Sequence, residues 1–82
     1  RNGKGSTTLR AKLYRFGFDW TDLVTDNGFV WTRTSDDSSS DKVWNDAHSQ
    51  GSKTLTVTAD DFKYSASFSV HVDVENNIQT TN

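Results

Sequence analysis

Residues 29–33, Phe-Val-Trp-Thr-Arg, constrain the fold of this chain more than any other stretch. Apart from the arginine they are β-branched or aromatic, which is the composition of a strand. They follow Asp26-Asn27-Gly28, a triplet that favours the positive φ angles of a tight turn. Because side chains alternate along a strand, Phe29 and Trp31 share one face, and we expect Trp31 to fill the core of a small β-sandwich.

Three further segments alternate in the same way, at residues 7–15, 53–58 and 64–74, and the last is predicted to be the longest strand. Turns separate these segments, and proline is absent. The pattern predicts an all-β sandwich. The residues predicted to face its core are Leu9, Ala11, Leu13, Phe29, Trp31, Leu55, Val57, Ala66, Phe68 and Val70.

Length and charge restrict the class of protein. The 82 residues suffice for one domain, and we expect one unit over 1–82 with a core over about 5–74 and a polar, frayed tail over 75–82. A net charge of -2 disfavours nucleic-acid and anionic-membrane partners, since both need a basic patch. No apolar run approaches the roughly 20 residues of a membrane span. Because Asn2-Gly3-Lys4-Gly5 resembles a loop entered from upstream, we expect the chain to be excised from a longer protein.

Residues 34–51 have a different character. The run 35–41, Ser-Asp-Asp-Ser-Ser-Ser-Asp, is predicted to be a solvated loop that buries nothing. Residues 43–48 could form one helical turn with Asp41 as its N-cap. Asp36, Asp37 and Asp41 could gather around calcium, but they lack the alternation of an EF-hand loop, and we predict no metal site.

Aromatic residues are concentrated around Gly17. Phe16, Phe18 and Trp20 alternate, and together with Tyr14 they could present rings to a sugar or a protein partner. Packing is the favoured interpretation, because so small a domain needs its large aromatics inside. Trp44 could be a ligand platform, or a lid over the open edge of the sandwich. The candidate ligand-binding residues are Tyr14, Phe16, Trp20 and Trp44.

Nothing in the sequence predicts catalysis or a cofactor. The chain has no cysteine, so it lacks a thiolate nucleophile or thiolate metal site. His48 and His71 are its only histidines, and neither accompanies a glycine-flanked serine. An enzyme would require a pocket that gathers His48 with the loop aspartates.

The order of several short motifs adds a family resemblance. The motifs are Ser6-Thr7-Thr8-Leu9-Arg10-Ala11, Gly17, Thr21-Asp22, Trp31-Thr32-Arg33-Thr34-Ser35, Asp41, Trp44-Asn45, His48, Gly51, Lys53, Thr56-Val57-Thr58, Asp60-Asp61 and Ala66-Ser67-Phe68. In this order and spacing they resemble the immunoglobulin-like modules in tail-associated minor structural proteins of phages that infect Gram-positive bacteria. The chain departs from that family at Val70, where cysteine is frequent, and at Phe16, where a polar residue is common.

The resemblance implies an immunoglobulin-like β-sandwich of about seven short antiparallel strands and no enzymatic activity. It implies a spacer or adhesive role on the virion, with assembly in the host cytoplasm and action at the bacterial surface. The implied partners are neighbouring domains of the same tail protein and host cell-wall polysaccharide. The alternative is a cell-surface adhesin or a carbohydrate-binding module of a secreted bacterial protein.

Overall fold

The computed structural model of the chain describes residues 5–58 and 66–79. In these ranges the chain is mostly β, with one α-helix and two short 3₁₀ turns. The strands are β1 (Ser6–Arg10), β2 (Tyr14–Arg15), β3 (Phe18–Asp19), β4 (Phe29–Thr34), β5 (Thr54–Thr58) and β6 (Ser67–Val72). The helix is α1 (Ser38–Ala47), and the 3₁₀ turns are Thr21–Leu23 and Asp26–Gly28.

The described strands form three two-stranded antiparallel sheets. Strand β1 pairs with β5 over its whole length, from Ser6 opposite Thr58 to Arg10 opposite Thr54. Strand β4 pairs with β6, so that Trp31 lies opposite Val70. Strands β2 and β3 form a short hairpin. The expectation of an all-β chain is therefore met by the strands but not by residues 38–47.

Side chains from β4 and β5 meet in one hydrophobic core. Phe29 and Trp31 project from β4, while Leu55 and Val57 project from β5. Trp31 is only 7% exposed, and its indole N–H donates to the carbonyl of Ser52 at 2.8 Å. Ala11 and Val24 complete the buried set, and further half-buried side chains pack around it: Leu9, Leu13, Trp44, Phe68, Val70, Val72 and Val74. Ala66 is half-buried at the start of β6.

The predicted strand over 7–15 is not continuous, because residues 11–13 separate β1 from Tyr14 and Arg15, which form β2. Strand β1 ends at Arg10, and the chain turns toward the hairpin at Leu13. The N–H of Leu13 donates to Thr21 Oγ1 at 2.8 Å, and its carbonyl accepts from Trp20 N–H at 2.7 Å. These bonds replace a continued ladder with β5.

The turn before β4 also differs from its prediction. Residues Asp26–Gly28 form a 3₁₀ turn, and positive φ angles occur elsewhere, at Phe16, Gly17 and Gly51. Glycine is needed at position 28 for space, because a Cβ there would lie 2.8 Å from Val24 Cγ1 and 2.9 Å from the carbonyl oxygen of Asp73.

Residues 77–79 contact the rest of the protein more closely than a frayed tail would, and residues 80–82 of the predicted tail lie outside the described residues. Gln79 N–H donates to the carbonyl of Leu23, and Thr25 N–H donates to that of Asn77, both at 2.7 Å. Ile78 forms a β-bridge with Val24. Among its described residues, the predicted strand over 64–74 is observed as β6, and residues 59–65 lie outside the described ranges.

Helix α1 includes residues 38–41, which were expected to be a loop, and most of the helical turn considered for residues 43–48. It begins after Asp37, whose Oδ1 accepts from Ser40 N–H at 3.0 Å, so Asp37 and not Asp41 is the N-cap. The solvated-loop prediction is wrong from Ser38 onward. It failed because the polar run does bury a side chain: Asp41 is only 7% exposed.

Asp41 is buried because it pairs with Arg33 of β4. Arg33 Nη1 lies 2.6 Å from Asp41 Oδ1, which also accepts from the Ser35 hydroxyl at 2.8 Å. Asp41 Oδ2 accepts from Ser35 N–H at 2.7 Å. One turn further on, Asn45 Oδ1 accepts from Arg33 N–H at 2.7 Å and its Nδ2 donates to the Arg33 carbonyl at 3.3 Å. Helix α1 is thus attached to β4 through polar side chains.

We expect Trp31→Ala to lower the free energy of unfolding by about 3 to 5 kcal/mol, because it leaves a cavity in a small core. Trp31→Phe keeps a ring and should lose less, with the bond to Ser52 contributing about 1 kcal/mol. Urea denaturation followed by circular dichroism measures both. Parent-like unfolding of Trp31→Ala would contradict the central position of Trp31.

We expect Asp41→Ala to cost about 3 to 5 kcal/mol, because the buried guanidinium of Arg33 loses its carboxylate. The matched control is Asp46→Ala, which breaks the exposed Lys42–Asp46 pair on the same helix. That exposed pair should contribute only about 0.3 to 0.5 kcal/mol. Equal losses in the two variants, measured by urea denaturation, would contradict the importance of the buried pair.

Candidate functional site

The β2–β3 hairpin is the candidate site, because it carries exposed aromatic side chains. Tyr14 pairs with Asp19, and Arg15 pairs with Phe18. Side chains of directly opposite residues lie on the same face of a ladder. Tyr14 and Asp19 therefore share one face of the hairpin, and Arg15 and Phe18 share the other.

The turn of the hairpin has an unusual residue at its first position. Phe16 has φ +55° and Gly17 has φ +81°. Two positive φ angles in a two-residue hairpin turn are the signature of type I′, which asparagine followed by glycine suits best. For a bulky residue such as phenylalanine this conformation is a genuine outlier. It costs roughly 1 to 2 kcal/mol through the contact of Cβ with the following carbonyl.

The rings on this hairpin are not in the core. Tyr14 is 64% exposed, Phe16 80% and Phe18 70%. The expectation that Phe16 and Phe18 pack inside is therefore wrong. The core of the domain is filled from other elements, chiefly by Phe29 and Trp31 of β4. What remains at the hairpin is an exposed aromatic cluster, which we define as Tyr14, Phe16, Phe18 and the half-buried Trp20.

Arg15 lies between two of these rings. Its guanidinium carbon is 4.7 Å from the centre of the Trp20 ring and 5.3 Å from that of Phe16. The two rings contact each other edge to face at 6.3 Å. Cation–π contact of this kind keeps both rings in position while leaving Phe16 at the surface.

A shallow pocket of about 190 Å³ lies where the hairpin meets the sheet of β1 and β5. Its lining carries charges of both signs together with a hydroxyl group. The lining residues are Arg10, Ala11, Lys12, Asp19, Thr21, Asp22 and Lys53. Tyr14 is on the hairpin face of Asp19, so an aromatic ring and a polar pocket lie on the same side of the hairpin.

Asp19 stabilises the backbone that follows the hairpin through a hydrogen bond to Thr21. Its Oδ1 accepts from Thr21 N–H at 2.8 Å. Hydrogen bonds from the side chain and backbone of Thr21 stabilise the charged form and lower the pKa of Asp19, with a smaller contribution from Lys12.

Trp44 is not part of this cluster. It lies on α1, half-buried against the core, with its ring 3.7 Å from the stacked His48 ring and 5.3 Å from Phe68. His48 Nδ1 is 2.7 Å from the carbonyl oxygen of Trp44. Trp44 therefore packs against Phe68 of β6. Of the four candidates, the structure brings Phe16 and Trp20 into contact, whereas Tyr14 lies on the same hairpin but on the face opposite to Arg15.

Another pocket, of about 170 Å³, lies near His48. Its lining includes Trp31, Ser52 and Thr54, but none of the aspartates of the described chain. Asp37 caps the helix and Asp41 pairs with Arg33, so the loop carboxylates do not converge. Within residues 5–58 and 66–79, no three His, Asp or Glu side chains are placed to hold a metal ion. His71 is exposed on β6.

Phe18 belongs to the exposed aromatic cluster but was not among the candidate ligand-binding residues. It belonged to the alternation of Phe16 and Trp20, but it was assigned to the core with them. The available signal was the Phe16-Gly17 pair: a two-residue turn puts Arg15 opposite Phe18 and leaves the flanking rings on a hairpin too short to bury them.

Comparison with family models finds none that matches the chain, and comparisons with curated proteins and with solved structures also find no match. In the described part of the chain, no helix has the length and apolar character needed to cross a bilayer.

We expect Asp19 to titrate below the ordinary range of an aspartate. Because its pKa is lowered in the folded chain, its contribution to stability is present above the unfolded pKa and is lost as the pH falls through the folded value. Thr21→Val removes the hydroxyl and should raise the Asp19 pKa, whereas Thr21→Ser should leave it lowered. Carboxyl-detected NMR titration measures all three chains, and an unchanged pKa in Thr21→Val would contradict the assigned cause.

Proposed function

We propose that this chain is a non-enzymatic, immunoglobulin-like module of a phage tail or baseplate-associated protein, and that its hairpin adheres to host cell-wall polysaccharide. The ordered motifs of the sequence support the family. The pairing of β1 with β5 and of β4 with β6, around one shared core, is compatible with a sandwich of antiparallel sheets. The virion is the proposed location, and neighbouring domains of the tail protein are further proposed partners.

One observation carries the binding role: Phe16 is 80% exposed and has a positive φ angle. Neither core packing nor turn preference accounts for phenylalanine at this position, since asparagine would fit the turn with less strain. Backbone outliers that bring no packing benefit concentrate at binding sites. Contact between the Phe16 ring and a ligand would account for phenylalanine at this position.

The chemistry of the hairpin suits a saccharide. Aromatic rings offer a large apolar surface at low entropic cost, and sugar rings have apolar faces that can lie against them. Beside Tyr14, the charged pocket at the base of the hairpin provides donors and acceptors for hydroxyl groups, among them Lys12, Asp19 and Asp22. Rings next to convergent polar groups are the usual composition of a ligand site.

A pure spacer would bury its aromatic residues and present a polar surface. The exposed aromatic cluster favours the adhesive version. The same cluster would also serve a cell-surface adhesin or a carbohydrate-binding module of a secreted protein, which is the second candidate. Sequence flanking this domain in its parent protein distinguishes the two settings, because tail proteins and secreted glycosidases differ throughout.

The test is co-sedimentation of the purified domain with intact Gram-positive cells and with their extracted wall polysaccharide. We expect saturable binding that Phe16→Asn weakens about tenfold, the equivalent of about 1.4 kcal/mol of ring contact. The matched control is Val43→Ser, which removes an apolar side chain of similar exposure (71%) from α1. It should bind like the parent.

Phe16→Asn separates binding from folding, because Asn-Gly is the preferred type I′ pair and the variant should melt at or above the parent temperature. Weaker binding by a variant of equal or greater stability would assign the contact to the ring. Binding to no wall fraction, or equal loss in Val43→Ser, would overturn the adhesive role and leave the spacer.

A further inference from the structure

Among the described residues, the backbone groups at the outer edge of β1 have no hydrogen-bond partner. Ala11 N–H donates to the carbonyl of Lys53 at 2.8 Å, while Lys53 N–H donates to Asp26 Oδ2 at 3.4 Å. The two residues thus keep one bond of a hydrogen-bonded pair at the end of the antiparallel ladder, which fixes its phase. Such pairs alternate with non-hydrogen-bonded pairs, in which N–H and C=O point away from the neighbouring strand. In β1 the outward-pointing residues are Ser6, Thr8 and Arg10.

Two contacts support this assignment. Thr54, opposite Arg10, donates its N–H to Ser52 Oγ at 3.2 Å and not to β1. The hydroxyl oxygens of Thr8 and Thr56 lie 3.3 Å apart, as the closer spacing of a non-hydrogen-bonded pair allows. Across the described residues, the outward backbone groups of β1 make no hydrogen bond, and all three of their side chains are exposed.

In contrast, backbone groups at the outer edge of β4 are hydrogen-bonded to other segments of the chain. The amide of Asn45 bonds both the N–H and the carbonyl of Arg33. Ser52 N–H donates to the carbonyl of Phe29 at 2.8 Å. Within residues 5–58 and 66–79, no segment covers β1 in this way, and the strand has no proline and only one charged side chain, Arg10. Covering segments, prolines and charged side chains normally keep an edge strand from pairing with another chain.

We infer that β1 is an interaction surface for a second copy of this chain, which pairs with it antiparallel about a two-fold axis at Thr8. In this register Thr8 lies opposite Thr8 of the second copy, and Ser6 lies opposite Arg10. The outward residues of one strand then meet the outward residues of the other, and each pair exchanges both of its N–H to carbonyl bonds. The two sheets join into one of four strands.

The side chains favour this register. The contact between Thr56 and Thr8 would extend into a row of four threonines across the joined sheet, and threonine pairs stabilise antiparallel neighbours. A register centred on Arg10 would place two guanidinium groups opposite each other, which is destabilising. Leu9, on the core face, would lie opposite the methyl group of Thr7 from the second copy. The surface is self-complementary, as a two-fold interface requires.

The association should be weak. One five-residue strand from each copy buries less than the roughly 1,000 Å² expected of a stable interface. We therefore expect a monomer–dimer equilibrium that depends on concentration. It uses a surface other than the aromatic cluster, so it does not rest on the proposed adhesion.

The experiment measures self-association by sedimentation equilibrium and by ¹⁵N-resolved NMR over rising protein concentration. We expect concentration-dependent amide shifts centred on Ser6, Thr8 and Arg10. Thr8→Lys and Thr8→Glu place like charges at the two-fold axis, and each should weaken self-association at least tenfold. An equimolar mixture of these two variants should restore association, because Lys then faces Glu. Thr8→Ser, which keeps the backbone bonds and the hydroxyl group, is the control and should associate like the parent.

Restoration in the mixture would locate the axis at Thr8. The inference is overturned if the parent chain shows no concentration dependence at millimolar concentration. It is also overturned if the shifts fall on the hairpin, or if the charged variants associate as the parent does.

Discussion

The ion pair between Arg33 and Asp41 is the interaction on which the arrangement of helix and sheet depends. It joins two buried charges, and a buried charge is tolerated only when its partner and hydrogen bonds are in place. Ser35 supplies two of those hydrogen bonds, and Asn45 adds a pair to the backbone of Arg33. The pair therefore determines where α1 lies on β4. That position in turn sets Trp44 against Phe68 at the margin of the core.

The strands were predictable wherever one face is apolar. The alternation at Phe29 and Trp31, and at Leu55 and Val57, corresponds to buried side chains of β4 and β5. The helix was not predictable in the same way, because its inward contacts are polar. Hydrophobic periodicity carries no information about a carboxylate that is buried by a guanidinium from another strand. A sandwich of seven strands is more than the described strands show, and it stays a proposal.

Part of the candidate site was predicted from the sequence. Tyr14, Phe16 and Trp20 were selected as aromatic residues near a glycine, and they lie on one hairpin. Their exposure was not predictable, since a small domain ordinarily uses such rings for its core. The exposure of these rings depends on the hairpin turn, where Phe16 takes a positive φ angle that its residue type disfavours. Trp44 was assigned to the same set by its polar neighbours, but the helix that carries it turns its ring toward the core.

The pairing of distant strands has a consequence for how fast the protein folds. Thr8 and Thr56 are 48 positions apart, and Thr32 and Ser69, which bond across β4 and β6, are 37 apart. Among the described elements, the hairpin, α1 and the two 3₁₀ turns are built from neighbours in sequence. Such local elements form in about microseconds, whereas closing long loops between strands delays folding to roughly milliseconds or seconds. The helix and hairpin should form early, and the core should consolidate only when β5 and β6 arrive.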